Sequence, residues 1–216
     1  MRPDRLSADP LGRRRRKSRS RETVETLLVA LVLFVLLRAF VIQAFRIPSP
    51  SMEDTLLVGD FLFISKLDYG PRVPFADWRA PGLREVRAGD VIVFRFPAEA
   101  QAGSKAVDYI KRCVAVGGQR VEMRAKRLYV DDELVVEPYV KHLDPAVRTE
   151  RDTWGPIEVP QGHLFMLGDN RDFSNDSRYW GALPMKNVHG RAIIRYFSWD
   201  PGKKWVRFER LFSLVR

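Results

Sequence analysis

Three stretches hold the residue types of a serine–lysine hydrolase. Ser51 stands in Ile47-Pro48-Ser49-Pro50-Ser51-Met52, Lys111 in Tyr109-Ile110-Lys111-Arg112, and residues 168–178 form a dense polar run from Gly168 to Arg178. A serine hydroxyl is a poor nucleophile until a base removes its proton. A lysine is such a base only when neutral, and its ordinary pKa is about 10.4, so burial must lower it substantially. Lys111 follows Tyr109 and Ile110 and precedes an apolar run, a setting that can desolvate its amine. Each stretch also has a plainer reading. A lysine in a strand usually carries a solvated amine, and prolines around Ser49 can mark an extended linker. With function in view, Pro48 and Pro50 hold an extended backbone from which Ser51 projects. The 11 residues of 168–178 include three Asp, two Asn, two Arg and two Ser, more polar groups than an ordinary turn needs. Such density suits a satisfied hydrogen-bond network that supports a site.

Other chemistries find less support. The three histidines, His142, His163 and His189, fall in loop-rich stretches or just before a strand. There is no Gly-x-Ser-x-Gly elbow. The single cysteine, Cys113, sits in Ile110-Lys111-Arg112-Cys113-Val114-Ala115-Val116, a run that reads as a buried strand. A packed core thiol is the expected role there, a nucleophile the alternative. With no Cys/His cluster and no His-Glu-x-x-His pattern, neither a metal nor a cofactor is expected.

The elements that must position these residues begin with an apolar stretch. Thr26 to Phe45 reads TLLVALVLFVLLRAFVIQAF, close to the roughly 20 residues needed to cross a bilayer core. Arg38 lies near one end, where a long side chain can snorkel to the interface. A cleaved secretory signal would be shorter and end in a small-residue cleavage site. A buried core helix would not account for the arginine run that precedes the stretch. Residues 23–45 are therefore expected to be one uncleaved transmembrane anchor. The 216-residue chain carries a formal net charge of +10, and residues 1–22 alone hold nine Arg or Lys against three Asp or Glu. By the positive-inside rule, Arg13–Arg21 keep this tail cytoplasmic. Residues 46–216 then lie on the far side of the membrane. A basic tail can also bind nucleic acid, but with a membrane-length segment behind it, contact with anionic lipid is the better reading.

Beyond Gly59 the pattern favours strands. Apolar, β-branched and aromatic residues concentrate in 60–65, 90–97, 107–116, 128–136, 164–167 and 191–199, and no long helical period appears. Asp131-Asp132-Glu133 reads as an acidic turn between two short strands. Residues 70–89 and 97–106 read as loops, and 137–163 as a polar, proline-punctuated excursion. The expectation is a mainly β domain with a loop-rich insertion at about 120–165.

These residues resemble the bacterial type I signal peptidases, membrane-anchored serine–lysine proteases that remove signal peptides from exported proteins. The resemblance runs from the anchor to about Trp199. Pro48-Ser49-Pro50-Ser51-Met52 with Thr55-Leu56 is similar to the nucleophile box. Tyr109 to Arg112 is similar to the lysine box, and Gly168 to Asp172 with Ser174 and Asp176 to Arg178 to the loop box. The resemblance implies that Ser51 attacks the scissile carbonyl, and that Lys111 serves as general base, then as general acid. It implies that the Ser174 hydroxyl orients the Lys111 amine by a hydrogen bond. The Ser51 N–H and the Ser49 hydroxyl would form the oxyanion hole. Asp169, Arg171, Asp176 and Arg178 would brace the site, Asp169 against Arg112. Phe45, Ile47, Met52 and Ile110 would line pockets for small residues before the cut. The implied partners are signal peptides, membrane lipid and the neighbouring translocation machinery. Asp54 stands where the family usually has proline, and Pro50 where small residues are frequent. The alternatives are a different serine–lysine hydrolase, such as the self-cleaving SOS repressors, and a membrane-anchored β domain that binds without catalysis.

Overall fold

The computed structural model describes residues 19–72, 78–96 and 107–216. The basic residues before Arg19, and parts of the two stretches expected to be loops, lie outside the described residues. Two compact units divide the chain, residues 1–36 and 37–216.

Helix α1 (Arg19–Phe40) is 22 residues long, which at about 1.5 Å per residue spans roughly 33 Å. It contains neither Gly nor Pro. All of its large apolar side chains from Leu27 to Leu37 are at the surface. A helix apolar on every side has no aqueous face, so its stable environment is lipid. It starts before the expected 23–45 segment and ends earlier. Val41 makes the last helical hydrogen bond, to the Leu37 carbonyl, and residues 42–46 leave the helix for the sheet. Local apolarity cannot separate the two. Backbone pairing does, with Ile42 opposite Ser65 and Arg46 opposite Phe61. Lys66 Nζ caps the helix end by donating to the Arg38 and Ala39 carbonyls.

In chain order the strands are β1 (Ile42–Arg46), β2 (Asp60–Ser65), β3 (Val91–Arg95), β4 (Asp108–Val116), β5 (Arg120–Arg124), β6 (Arg127–Val130), β7 (Glu133–Leu134), β8 (Trp154–Glu158), β9 (His163–Leu167), β10 (Leu183–Pro184), β11 (Val188–Asp200), β12 (Trp205–Val206) and β13 (Ser213–Leu214). Nine of these form one sheet in the order β1-β2-β11-β3-β4-β9-β10, with β12 and β13 paired to β11. A second sheet runs β7-β6-β5-β8. The fold is mainly β, as expected. Within the expected insertion, β5 to β8 form that second sheet, while residues 135–153, between β7 and β8, carry no strand. β9 belongs to the main sheet, so the insertion stops short of 163. Gly155 and Pro156 hide β8 from a propensity reading, yet its ends pair with Arg120 and Met123 of β5.

Both faces of the main sheet are covered, which explains its unbroken apolar runs. Val91 and Val93 pack with Ile47, Met52, Leu56, Leu62 and Ile64. Ile92 and Phe94 of the same strand pack on the other side with Cys113, Met166 and Val188. Val114, Phe165 and Leu167 extend into a third cluster with Val121, Met123 and Leu128 of the second sheet. Cys113 is a packed core thiol, with Sγ 3.4 Å from the Ala115 carbonyl, and burial pushes its pKa up to about 12. Leu62, fully buried on a strand flanked by β1 and β11, anchors the first cluster. Leu62→Ala is expected to cost about 2–5 kcal/mol of stability by denaturant titration.

Candidate active site

Ser51 is placed by a change of backbone habit. The β1–β2 pairing continues to Ile47, whose N–H donates to the Asp60 carbonyl at 2.8 Å. Ser49 is extended, with φ −132° and ψ 155°. Pro50 then starts a single 3₁₀ turn, Pro50–Met52, that carries Ser51. A proline preset for helical φ is well placed at that position. The turn is tied to the polar loop twice: Asn170 N–H donates to the Ser51 carbonyl at 3.1 Å, and Asn170 Nδ2 to the Pro50 carbonyl at 3.2 Å.

Lys111 is placed by register. β4 lies between β3 and β9, with Lys111 opposite Ile92 and Arg112 opposite Leu167. Lys111 is 3% exposed and Ser51 6%. Lys111 Nζ lies 2.5 Å from Ser51 Oγ, a hydrogen bond between residues 60 apart in sequence. Burial, the largest cause, lowers the Lys111 pKa to about 8. The carboxylates of Asp176 and Asp169 oppose that shift, and the Arg178 guanidinium favours it. The second neighbour of the Ser51 hydroxyl is Ser49 Oγ, at 3.4 Å.

The 168–178 loop is a network, as its composition suggests. Asp169, fully buried, accepts from Arg112 Nε at 2.9 Å and Nη2 at 2.7 Å, and from Thr55 Oγ1 at 2.6 Å. One carboxylate thus joins the Lys111 strand to the loop that follows Ser51. Arg112 Nη1 also donates to the Gly89 carbonyl at 2.8 Å. Asp176 accepts from the Gly168 N–H at 3.0 Å and from Arg178 Nε at 2.8 Å. Arg178 in turn donates to the Arg171 carbonyl at 2.7 Å. Arg171 donates through Nε to the Gly168 carbonyl at 3.1 Å and forms a bidentate pair with Glu137 at 2.9 and 2.6 Å. The Glu137 partner was not foreseen.

Two expected placements differ. Ser174 Oγ is buried, but among the described residues it has no hydrogen-bond partner, so it does not hold the Lys111 amine in this structure. Its hydroxyl lies over Gly168, only 2.2 Å from where a Cβ on that glycine would stand, and Lys111 is bonded to Ser51 instead. Met52 is fully buried in the core beneath the turn and does not line the cleft. A 3₁₀ turn directs successive side chains apart, so Ser51 faces the cleft and Met52 faces inward. Phe45, Ile47 and Ile110 do line the cleft, which has a volume of about 300 Å³ and also reaches Ser49, Ser51 and Lys111. At position 54 the backbone has φ +80°, which proline cannot adopt; Asp54 tolerates it and pairs with Lys141 at 3.0 Å.

His189 Nε2 lies 2.9 Å from Asp108 Oδ1, and no bond joins His142, His163 or His189 to Ser51 among the described residues. A buried serine bonded to a buried lysine, braced by paired Arg and Asp, can perform acyl transfer with the amine as proton carrier.

The sequence profile described as "Signal peptidase, peptidase S26" matches residues 20–199. Signal peptidase I of Pseudomonas aeruginosa is 38% identical over 207 residues, covering 79% of this chain and 71% of its own length. The probable signal peptidase I-1 of Synechocystis sp. is 38% identical over 187 residues, covering 86% of this chain and 85% of its own. The crystal structure of a signal peptidase I from Enterococcus faecalis is 27% identical and covers 50% of this chain and 96% of its own, with a TM-score of 0.40. By the profile and the sequence relatives, the chain belongs to the signal peptidase family, peptidase S26.

Proposed function

We propose that this membrane-anchored protein cuts signal peptides from exported preproteins, with Ser51 as nucleophile and Lys111 as general base. The observation that carries the reading is the 2.5 Å contact between Lys111 Nζ and Ser51 Oγ in a buried setting. While protonated, the amine donates to the serine oxygen. Once neutral, its lone pair faces the hydroxyl and accepts its proton as Oγ bonds to the scissile carbonyl carbon. The negative charge that develops on the carbonyl oxygen is stabilised by the Ser51 N–H and the Ser49 hydroxyl. Collapse of the intermediate breaks the C–N bond, and Lys111 passes its proton to the leaving amine. Water activated by the same amine then releases the acyl group from Ser51.

The cleft suits an extended peptide. Among the described residues, no strand pairs with the edge of β1 turned away from β2, and β9 pairs with β4 only from Arg112 onward. Residues 42–46 and 108–111 thus offer free backbone edges, and an extended substrate can add to them as a strand. Phe45, Ile47 and Ile110 narrow the cleft beside Ser51, favouring small side chains before the cut by excluding bulky ones.

In this reading α1 spans the cytoplasmic membrane with the basic tail inside, in contact with anionic lipid, and residues beyond the helix outside. Trp205, Phe208 and Phe212, all exposed, supply aromatic surface suited to a membrane interface. Substrates arrive there from the translocation machinery.

With purified protein in detergent and a preprotein bearing an Ala-x-Ala site, wild type cleaves after that site. Ser51→Ala and Lys111→Ala each lose at least about a thousandfold in kcat. Retained cleavage in either variant removes that residue from its role, and no cleavage by wild type favours a binding domain. For a Lys111 pKa of about 8, roughly a tenth of the amine is neutral at pH 7. The rate therefore rises close to tenfold per pH unit below about 8 and levels above it, whereas a flat profile contradicts lysine as base. Gly168→Ala would place a Cβ 2.2 Å from Ser174 Oγ and 2.5 Å from the Ser51 carbonyl. Its kcat is expected to fall at least about tenfold, with a smaller change in KM.

A further inference from the structure

The segment that leaves the second sheet runs beside the polar loop before returning to β8. Lys141 N–H donates to the Asp169 carbonyl at 2.8 Å, and Arg171 N–H to the Lys141 carbonyl at 3.1 Å, a short parallel ladder. Two side chains of this segment then reach the arginines of the site. The Arg112 guanidinium lies over the ring of Tyr139, with Cζ 3.7 Å from the ring centroid. The Glu137 carboxylate takes Arg171 in a bidentate pair at 2.9 and 2.6 Å, both side chains nearly fully buried. Tyr139 Oη donates to Glu137 Oε1 at 3.0 Å and joins the two contacts.

We propose that Tyr139 and Glu137 are positioning residues for the Ser51–Lys111 pair, acting as a strap that fixes Arg112 from one side and Arg171 from the other. The inference rests on the serine–lysine reading above. Arg112 directly follows Lys111 in β4, so movement of its guanidinium is passed to the backbone that carries the amine. Arg112 also holds Asp169, which binds Thr55 of the nucleophile loop. Arg171 Nε holds the Gly168 carbonyl, and Ser174 Oγ and the Ser51 carbonyl leave no room for a side chain on Gly168. The strap therefore has a hold on both reacting side chains and touches neither. A guanidinium stacked on an aromatic face keeps its fork free for a carboxylate, so Tyr139 covers Arg112 without competing with Asp169. The same cover keeps water from the buried pair beside Lys111.

The test uses the full chain in detergent and measures kcat and KM across roughly pH 6 to 10 for wild type, Tyr139→Phe, Tyr139→Leu and Glu137→Gln, with thermal unfolding of each. Tyr139→Leu is expected to lose about tenfold in kcat with KM changed less than about twofold. Its rising limb should also move to higher pH, because water admitted beside Arg112 eases the charging of Lys111. Tyr139→Phe keeps the ring and should restore most of kcat. Glu137→Gln keeps the shape, loses the charge facing Arg171, and should show the same changes at about threefold. It decides the matter if Tyr139→Leu does not fold. A rate loss uniform across pH and matched by loss of folded protein would reduce the strap to scaffold and overturn the proposal. A wild-type limb left in place by both variants overturns the strap alone. A wild type with no such limb overturns the serine–lysine reading.

Discussion

The site depends on taking the Lys111 amine out of water. A pKa brought from 10.5 to about 8 corresponds to roughly 3 kcal/mol against the charged form. That penalty comes from enclosure: β4 is covered on both faces, and the Ser51 turn closes over the amine. The surrounding charges decide whether the penalty survives. Asp176 and Asp169 both favour the ammonium ion, and either carboxylate left unpaired would draw the proton back. Each is paired with a guanidinium, Asp176 with Arg178 and Asp169 with Arg112; the Arg178 charge opposes the carboxylates at Nζ, and desolvation remains the largest influence.

Those ion pairs add little stability by themselves. Burying two charges costs several kcal/mol each before attraction repays it, and a hydrophobic replacement of equal volume is often as stable. Their value here is geometric. The bidentate Arg112–Asp169 pair allows one relative placement of its partners, and Thr55 adds the loop after Ser51 to it. Residues from three distant parts of the chain are thus held to a common frame. The Glu137–Arg171 pair connects that frame to the segment that follows β7 of the second sheet.

Much of the site was legible because its groups cluster in sequence. Ser51 with its prolines, Lys111 in an apolar strand, and the crowded 168–178 loop are local patterns. The Arg112–Asp169 pairing followed from family resemblance and is present as expected. What escaped was decided by long-range pairing. Ile42, Ala44 and Phe45 carry the apolar stretch past the helix end, and only the partner strand β2 claims residues 42–46 for the sheet. β8 contains Gly155 and Pro156, and its existence depends on β5. Tyr139 and Glu137 sit in a polar, proline-punctuated segment whose composition is that of a loop. An acid and an aromatic two residues apart was the available signal, and a weak one. Met52 and Ser174 show the limit at finer scale: a sequence motif does not say which way each side chain turns.

The most direct test observes the Lys111 amine itself. With ¹³C-labelled lysine in the detergent-solubilised chain, the ε-carbon resonance of Lys111, identified by its absence in Lys111→Arg, is followed against pH. The structure predicts a midpoint near 8, with the resonance moved back toward ordinary lysine behaviour when Gly168→Ala disturbs the enclosure. A midpoint at the ordinary lysine value, about 10.4, would contradict a neutral Lys111 as the base of this site.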